Sequence, residues 1–202
     1  MTIRNKIILL TIGFVGFVFL PIGAFAAELS IEPSEGRYFV GDTFIASIFV
    51  NAEAEAINAV EATLNFPGDL LEVVDLNTYN SILQLWIDDP AYINELGLIT
   101  FIGGVPAEGY TEKKGFIGKI IFRVKKEGQA FVSFKDDSSR ILLADGLGTE
   151  TLLTTTPTFY EFVSKKKLLY YFLITFLIIF LVGIIIWKIW KSKKRNQLPA
   201  HG

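Results

Sequence analysis

The ten-residue stretch GFIGKIIFRV, Gly115–Val124, carries the strongest alternation in the sequence. Small or apolar residues occupy every second position, namely Phe116, Gly118, Ile120, Phe122 and Val124. Lys119 and Arg123 lie between them. Because successive side chains of a strand point to opposite faces, the stretch predicts a β-strand with one buried and one wetted face. Glu127-Gly128 then predicts a tight turn into a second strand, Ala130–Lys135.

The same two-residue period recurs on both sides of this hairpin. Thr43–Asn51 and Asn58–Phe66 alternate in the same way, and Pro67-Gly68-Asp69 marks a turn after the second of them. Shorter apolar runs between turn signals predict the remaining strands, at Leu70–Leu76, Ile82–Ile87, Leu98–Gly103, Ile141–Leu143 and Phe159–Val163. About nine short strands without an amphipathic helix predict an all-β fold, a two-sheet antiparallel sandwich of jelly-roll or immunoglobulin-like topology.

The C-terminal part of the chain has a different character. Leu168–Trp187 is a run of 20 residues without a charge, about the length that an α-helix needs to cross a bilayer. Three lysines, Lys165–Lys167, precede the run, and five cations follow it between Lys188 and Arg195. We therefore predict a transmembrane helix within residues 165–190 and a short basic cytoplasmic tail at residues 191–202.

The N-terminus has the three parts of a secretory signal peptide. Arg4 and Lys6 are positive, Ile7–Leu20 is apolar, and Ala24-Phe25-Ala26 offers small residues for a signal peptidase. Residues 1–26 are predicted to be a signal peptide cleaved after Ala26, with an uncleaved anchor as the alternative. The resulting expectation is a single-pass protein of the cell membrane, with an extracytoplasmic domain at residues 27–164.

Charge and composition limit the function of that domain. Residues 27–164 hold all 21 acidic groups but only nine of the 19 Lys and Arg residues, so their net charge is −12. An acidic surface argues against nucleic acid, since a phosphate backbone requires a positive face. The sequence has no cysteine, and its one histidine is His201 in the predicted tail. Histidine triads, thiol nucleophiles and common zinc sites are therefore not expected, and no cofactor is predicted.

Several segments resemble cohesin domains in their order and spacing. The stretch VGDTFIASIFVNA is followed by INAVEATLNFPGDLLEVVDL, and SILQLWIDDP, LITFIGGVP, GKIIFRVKKEGQAFVSF and ILLADGLGT continue the likeness to about Phe162. The resemblance implies a nine-stranded jelly roll related to some carbohydrate-binding modules. It also implies a non-catalytic role, the binding of a dockerin-like module in polysaccharide-related surface assembly.

In cohesins the partner docks on the sheet face formed by the third, fifth, sixth and eighth strands. On this chain the resemblance assigns those strands to Asn58–Phe66, Ile82–Ile87, Leu98–Gly103 and Ala130–Lys135. The outward positions, and hence the expected binding residues, are Glu61, Thr63, Asn65, Gln84, Trp86, Thr100, Ile102, Ser133 and Lys135. The chain departs from scaffold proteins of the family in having one such module and no dockerin of its own.

Other interpretations of the same residues remain open. Trp86 is either a binding residue on the sheet or part of the core. Asp88-Asp89 and Asp136-Asp137 are either turn residues or oxygen ligands for calcium, and as paired carboxylates they also permit a glycosidase. The alternative functions are therefore a module that binds polysaccharide directly, a structural or adhesion domain, and a glycan-active enzyme.

Overall fold

The computed structural model describes residues 26–52, 55–106 and 108–195. Apart from Ala26, the predicted signal peptide lies outside the described residues, and so do residues 196–202 of the predicted tail. The described chain forms twelve strands followed by one long helix. In chain order they are β1 (Ala26–Glu32), β2 (Glu35–Phe39), β3 (Thr43–Asn51), β4 (Ile57–Asn65), β5 (Leu71–Asn77), β6 (Leu85–Ile93), β7 (Leu98–Gly104), β8 (Gly115–Val124), β9 (Gly128–Phe134), β10 (Arg140–Leu143), β11 (Leu152–Thr155), β12 (Thr158–Val163) and α1 (Lys165–Arg195).

The strands form two sheets that pack face to face. The five-stranded sheet has the order β11-β1-β3-β8-β5, and the seven-stranded sheet has the order β2-β12-β9-β4-β7-β6, with β10 also pairing with β4. The edge pairs β1–β11 and β2–β12 are parallel, whereas the other pairings between these strands are antiparallel. The predicted all-β sandwich is confirmed, with three strands (β1, β2 and β11) beyond the nine that we predicted.

One apolar core lies between the sheets and contains no disulfide. Inward side chains of alternating positions, such as Ile48, Leu64 and Phe122, are fully or almost fully buried. At one end of this core Phe44 stacks on Tyr38, with ring centroids 4.0 Å apart, and lies 4.9 Å from the ring of Tyr160. Aromatic side chains bury a large apolar area each, so this cluster is a major source of stability.

The structure corrects the phase predicted for the start of β8. The pairing of β3 with β8 shifts register between Ile48 and Phe49, as in a β-bulge. As a result Ile117 is buried, and Phe116 instead packs edge-on against Phe49, with ring centroids 5.8 Å apart. The alternation quoted from Gly118 to Val124 holds, but the predicted inward position of Phe116 is wrong.

The helix α1 begins one residue after the last strand of the sandwich. Only Ser164 separates β12 from α1, and Lys165–Lys191 is the one segment of the described chain long and apolar enough to span a membrane. The most apolar part of this segment is not buried against any described part of the molecule. A helix of this length that is apolar on all sides and covered by nothing suits a lipid environment.

Candidate partner-binding face

The four strands assigned to the binding face by the resemblance are neighbours in the structure. They correspond to β9, β4, β7 and β6, and these lie in this order within the seven-stranded sheet. One side of the four strands covers the core and the other side has no protein layer over it among the described residues. We call this outer side, from β9 to β6, the outer face.

The middle of the outer face is formed by paired residues of β4 and β7. Thr63 lies opposite Thr100, Glu61 opposite Ile102, and Asn65 is the neighbour of both Leu98 and Ser133. All of these positions are partly or fully exposed, whereas the alternate residues Ala62, Leu64 and Phe101 are buried. The structure thus places six of the nine predicted residues together on one surface, at Glu61, Thr63, Asn65, Thr100, Ile102 and Ser133.

An apolar strip borders this polar centre along the edge strand β6. Leu85 lies opposite Gly104 and is 63% exposed, and Ile87, at the β6 bulge, is 72% exposed. Ile93, at the far end of the strand, is exposed as well. A row of exposed aliphatic side chains beside polar residues is typical of a protein interaction surface.

Arg140 is a charged residue beside the outer face, on the strand β10 that pairs with β4. It lies opposite Glu61, and its Nε donates a hydrogen bond to Glu61 Oε2. A second guanidinium nitrogen donates to Glu150 Oε1 over 3.3 Å. The hydrogen bond that Arg140 donates to Glu61 raises the pKa of Arg140 most, followed by the negative charge of the same carboxylate. The guanidinium therefore stays charged and is held in place at the surface between two carboxylates.

The outward orientation predicted for Trp86 is wrong. Trp86 lies opposite Gly103, which is on the side of β7 that faces the core. The indole packs edge-on against Phe101, with ring centroids 6.4 Å apart. A Cβ atom at Gly103 would lie 2.9 Å from the indole ring, so the glycine leaves the room that the ring fills. The structure thus supports the alternative, because Trp86 is partly buried and packs against the core.

Gln84 and Lys135 lie beside the strands rather than within them. Gln84 is exposed one residue before β6, and its backbone amide donates to Gly104 O over 3.0 Å. Lys135 follows β9, where its amide donates to Thr63 O over 2.8 Å and its Nζ is 3.9 Å from Asp137 Oδ1. Both therefore border the outer face instead of forming its centre.

Sequence reasoning missed Arg140, Leu85 and Ile87 as parts of this surface. The sequence predicts a strand at Ile82–Ile87, whereas β6 begins three residues later, at Leu85, and ends six residues later, at Ile93. Asp88-Asp89-Pro90 gave a turn signal, but these residues lie within β6, where register shifts on the sheet edge accommodate them. Among the described residues no three His, Cys, Asp or Glu side chains come together as a metal site.

The fold is that of cohesin modules. A crystal structure of a type I cohesin–dockerin complex from Clostridium thermocellum matches with a TM-score of 0.56 and 15% identity, over 69% of this chain and 95% of the matched chain. A non-cellulosomal cohesin from Archaeoglobus fulgidus matches with a TM-score of 0.55 and 16% identity, over 73% and 98% of the two chains. The cohesin module of a Clostridium perfringens family 33 glycoside hydrolase gives 0.56 and 12%, over 69% and 98%.

The comparisons by sequence add nothing to this likeness. No family model matches the chain, and no curated protein matches it. The fold of the cohesin-like domain predicted from the sequence is thus confirmed by solved structures. The three structures named above share 12–16% identity with this chain.

Proposed function

We propose that this protein is a non-catalytic cell-surface module that binds a dockerin-like protein through its outer face. One observation carries the proposal: the strands β9, β4, β7 and β6 form a continuous uncovered surface on a cohesin fold. The similar structure from Clostridium thermocellum is itself a complex of a cohesin with a dockerin. The biological setting that we propose is the assembly of polysaccharide-related proteins at the surface.

The chemistry of the face suits a protein partner. The aliphatic side chains of Leu85 and Ile87 supply apolar area that a partner would bury, and Arg140 supplies a fixed guanidinium. The face lies on hydrogen-bonded strands, so little conformational entropy is lost on binding. The carboxylates around it favour a partner with basic groups.

The anchor completes the proposal. A cleaved signal peptide at residues 1–26 exports the sandwich, and α1 then holds it at the membrane with the tail in the cytoplasm. Because Ser164 is the only residue between β12 and α1, the sandwich stays close to the bilayer surface. A bound partner would be held near the membrane.

Direct binding of a polysaccharide was the main alternative, and Trp86 was its strongest support. Sugar-binding surfaces use exposed aromatic rings, but the indole of Trp86 packs on Phe101. Other exposed aromatic rings include Tyr79 in the connection before β6, and Phe131 on β9, which packs against Phe159 with ring centroids 5.2 Å apart. This alternative is therefore kept as an outcome of the binding experiment.

The test is a pull-down from the secreted proteins of the source organism with immobilised residues 27–164. We expect the wild-type fragment to retain a protein that carries a dockerin-like module. Leu85→Asp should weaken its binding at least about tenfold, because the partner would lose an apolar contact and bury a charge in its place. The matched control is Ile45→Asp, which changes a side chain that is 49% exposed on the five-stranded sheet.

The controls separate this proposal from its alternatives. Equal loss of binding in Leu85→Asp and Ile45→Asp would show that the outer face is not the binding surface. Retention of glycan alone, measured with a polysaccharide array, would favour the carbohydrate-binding alternative. Circular dichroism of each variant checks that the sandwich is still folded.

A further inference from the structure

A cavity of about 640 Å³ lies where the sandwich meets the membrane helix. Its walls come from the edge strand β2, from β12, from Glu127 in the turn before β9 and the first residues of β9, and from the first two turns of α1. This volume falls within the range of about 300–1,000 Å³ that is usual for small-ligand sites. No residue of β4, β7 or β6 lines the cavity, so the cavity is separate from the centre of the outer face.

The charged side chains of the cavity form two opposite pairs. Arg37 lies 3.2 Å from Glu161, and Lys167 lies 2.9 Å from Glu127, measured between nitrogen and oxygen. All four side chains are substantially exposed, and exposed ion pairs of this kind contribute little to stability. A ligand with one anionic and one cationic group can therefore replace these ion pairs at small cost in free energy, with its anion on the cationic side chains and its cation on the carboxylates.

The remaining lining places the cavity at the surface of the bilayer. Leu168 and Tyr171 belong to α1 and are part of the wall, and Leu168 is the first residue of the uncharged run. Tyrosine and lysine at the end of a spanning helix favour the headgroup layer. The cationic and acidic groups of the sandwich thus face the depth at which phospholipid headgroups lie.

We propose that this cavity holds the headgroup of a zwitterionic phospholipid from the surrounding bilayer. Its phosphodiester would face Arg37 and Lys167, and its ammonium group would face Glu127 and Glu161. The acyl chains would continue along the apolar surface of α1 from Leu168. The inference rests on the proposed membrane anchor, and it adds a lipid contact that orients the sandwich on the membrane.

The test uses the full chain in nanodiscs that contain dioleoylphosphatidylethanolamine, followed by native mass spectrometry of the released protein. We expect one phospholipid to remain bound to the wild type. In R37A/K167A the retained fraction should fall at least about tenfold, since two charge-assisted contacts to the phosphate are lost. The conservative variant R37K/K167R should retain the lipid.

R123A/K166A is the matched control because it removes the same charges outside the cavity. Arg123 is also an exposed, ion-paired arginine, 2.8 Å from Glu72, and Lys166 is the neighbour of Lys167. This control should bind lipid as the wild type does. Equal retention by R37A/K167A, or equal retention of dioleoylglycerol, which lacks the phosphate headgroup, would overturn the proposal.

A flotation assay with vesicles distinguishes this failure from a failure of the anchor. If the full chain floats with the vesicles but R37A/K167A retains lipid like the wild type, only the headgroup site is wrong. If the full chain does not float, both the anchor and the headgroup site are wrong. The protein-binding test on residues 27–164 is independent of both results.

Discussion

Tyr160 is the largest of the fully buried side chains in the described part of the chain. It lies on β12 and packs against both Tyr38 and Phe44, and its hydroxyl donates a 2.7 Å hydrogen bond to Pro33 O. Burial raises its pKa from 10.0 to about 12, although a hydrogen bond with Thr158 opposes the shift. A buried tyrosine that keeps its proton stabilises the native state as long as the solution does not remove that proton.

The pKa of Tyr160 predicts a loss of stability at alkaline pH. The contribution is fully present below pH 10.0, the ordinary pKa, and is lost as the pH rises towards about 12. In Tyr160→Phe this alkaline slope should be smaller, while at neutral pH the missing hydrogen bond should cost about 1 kcal/mol. Urea unfolding of residues 27–164 as a function of pH measures both effects. Both proteins contain the same lysines, so a difference between their alkaline slopes reports on Tyr160. Equal slopes would contradict the prediction.

At the scale of elements, the turn between β6 and β7 links the two sheets. The side chain of Asn94 accepts a 2.7 Å hydrogen bond from Val73 N and donates a 3.0 Å hydrogen bond to Val73 O, on β5 of the other sheet. Gly97 ends the turn with a positive φ of 64°, and its carbonyl accepts a 2.8 Å hydrogen bond from Phe66 N. The turn is therefore held from two sides, and its backbone has little freedom to move.

Alanine substitutions at two glycines of similar φ should differ sharply in cost. A Cβ atom at Gly97 would lie 2.0 Å from Phe66 O, whereas one at Gly146, with φ of 74°, meets nothing within 4 Å. We expect Gly97→Ala to reduce the free energy of unfolding by about 3 kcal/mol, through both the clash and the backbone strain. Gly146→Ala should cost only about 1 kcal/mol, because strain alone acts there. Urea midpoints of residues 27–164 test this, and equal costs would show that the turn relaxes.

At the scale of the whole molecule, the sandwich and α1 are nearly independent in energy. The sandwich has its own core, and the apolar surface of α1 is covered by none of it. Two exposed ion pairs, Lys165–Asp42 at 2.6 Å and Lys167–Glu127 at 2.9 Å, connect the base of the helix to the sandwich. Such pairs set an orientation more than they supply stability.

Removal of the helix should therefore leave the sandwich folded. A chain of residues 27–164 is expected to be soluble and to unfold at a temperature within about 5 °C of the full chain in detergent, since it loses two exposed ion pairs. Differential scanning calorimetry of both proteins gives the comparison. A large fall in the midpoint, or an unfolded fragment, would mean that α1 packs on the sandwich more extensively than these contacts show.

The sequence by itself determined the class of the fold and the character of the C-terminal helix. Both depend on local patterns: the alternation from Gly118 to Val124 marks an inner and an outer face within one strand, and an uncharged run of 20 residues has the length of a membrane span. The strands β1, β2 and β11 were not predicted. Of these, β1 has inward Ala27, Leu29 and Ile31 and so carries a readable alternation, whereas β2 and β11 are short edge strands.

Only the tertiary structure decided which side chains share a surface. Trp86 turns inward because Gly103, on a neighbouring strand, leaves room for its ring, and Arg140 joins the outer face because β10 pairs with β4. The cavity likewise joins Arg37 to Lys167, residues far apart in the chain. Register shifts and pairings between distant segments set these contacts, and no local period of the sequence records them.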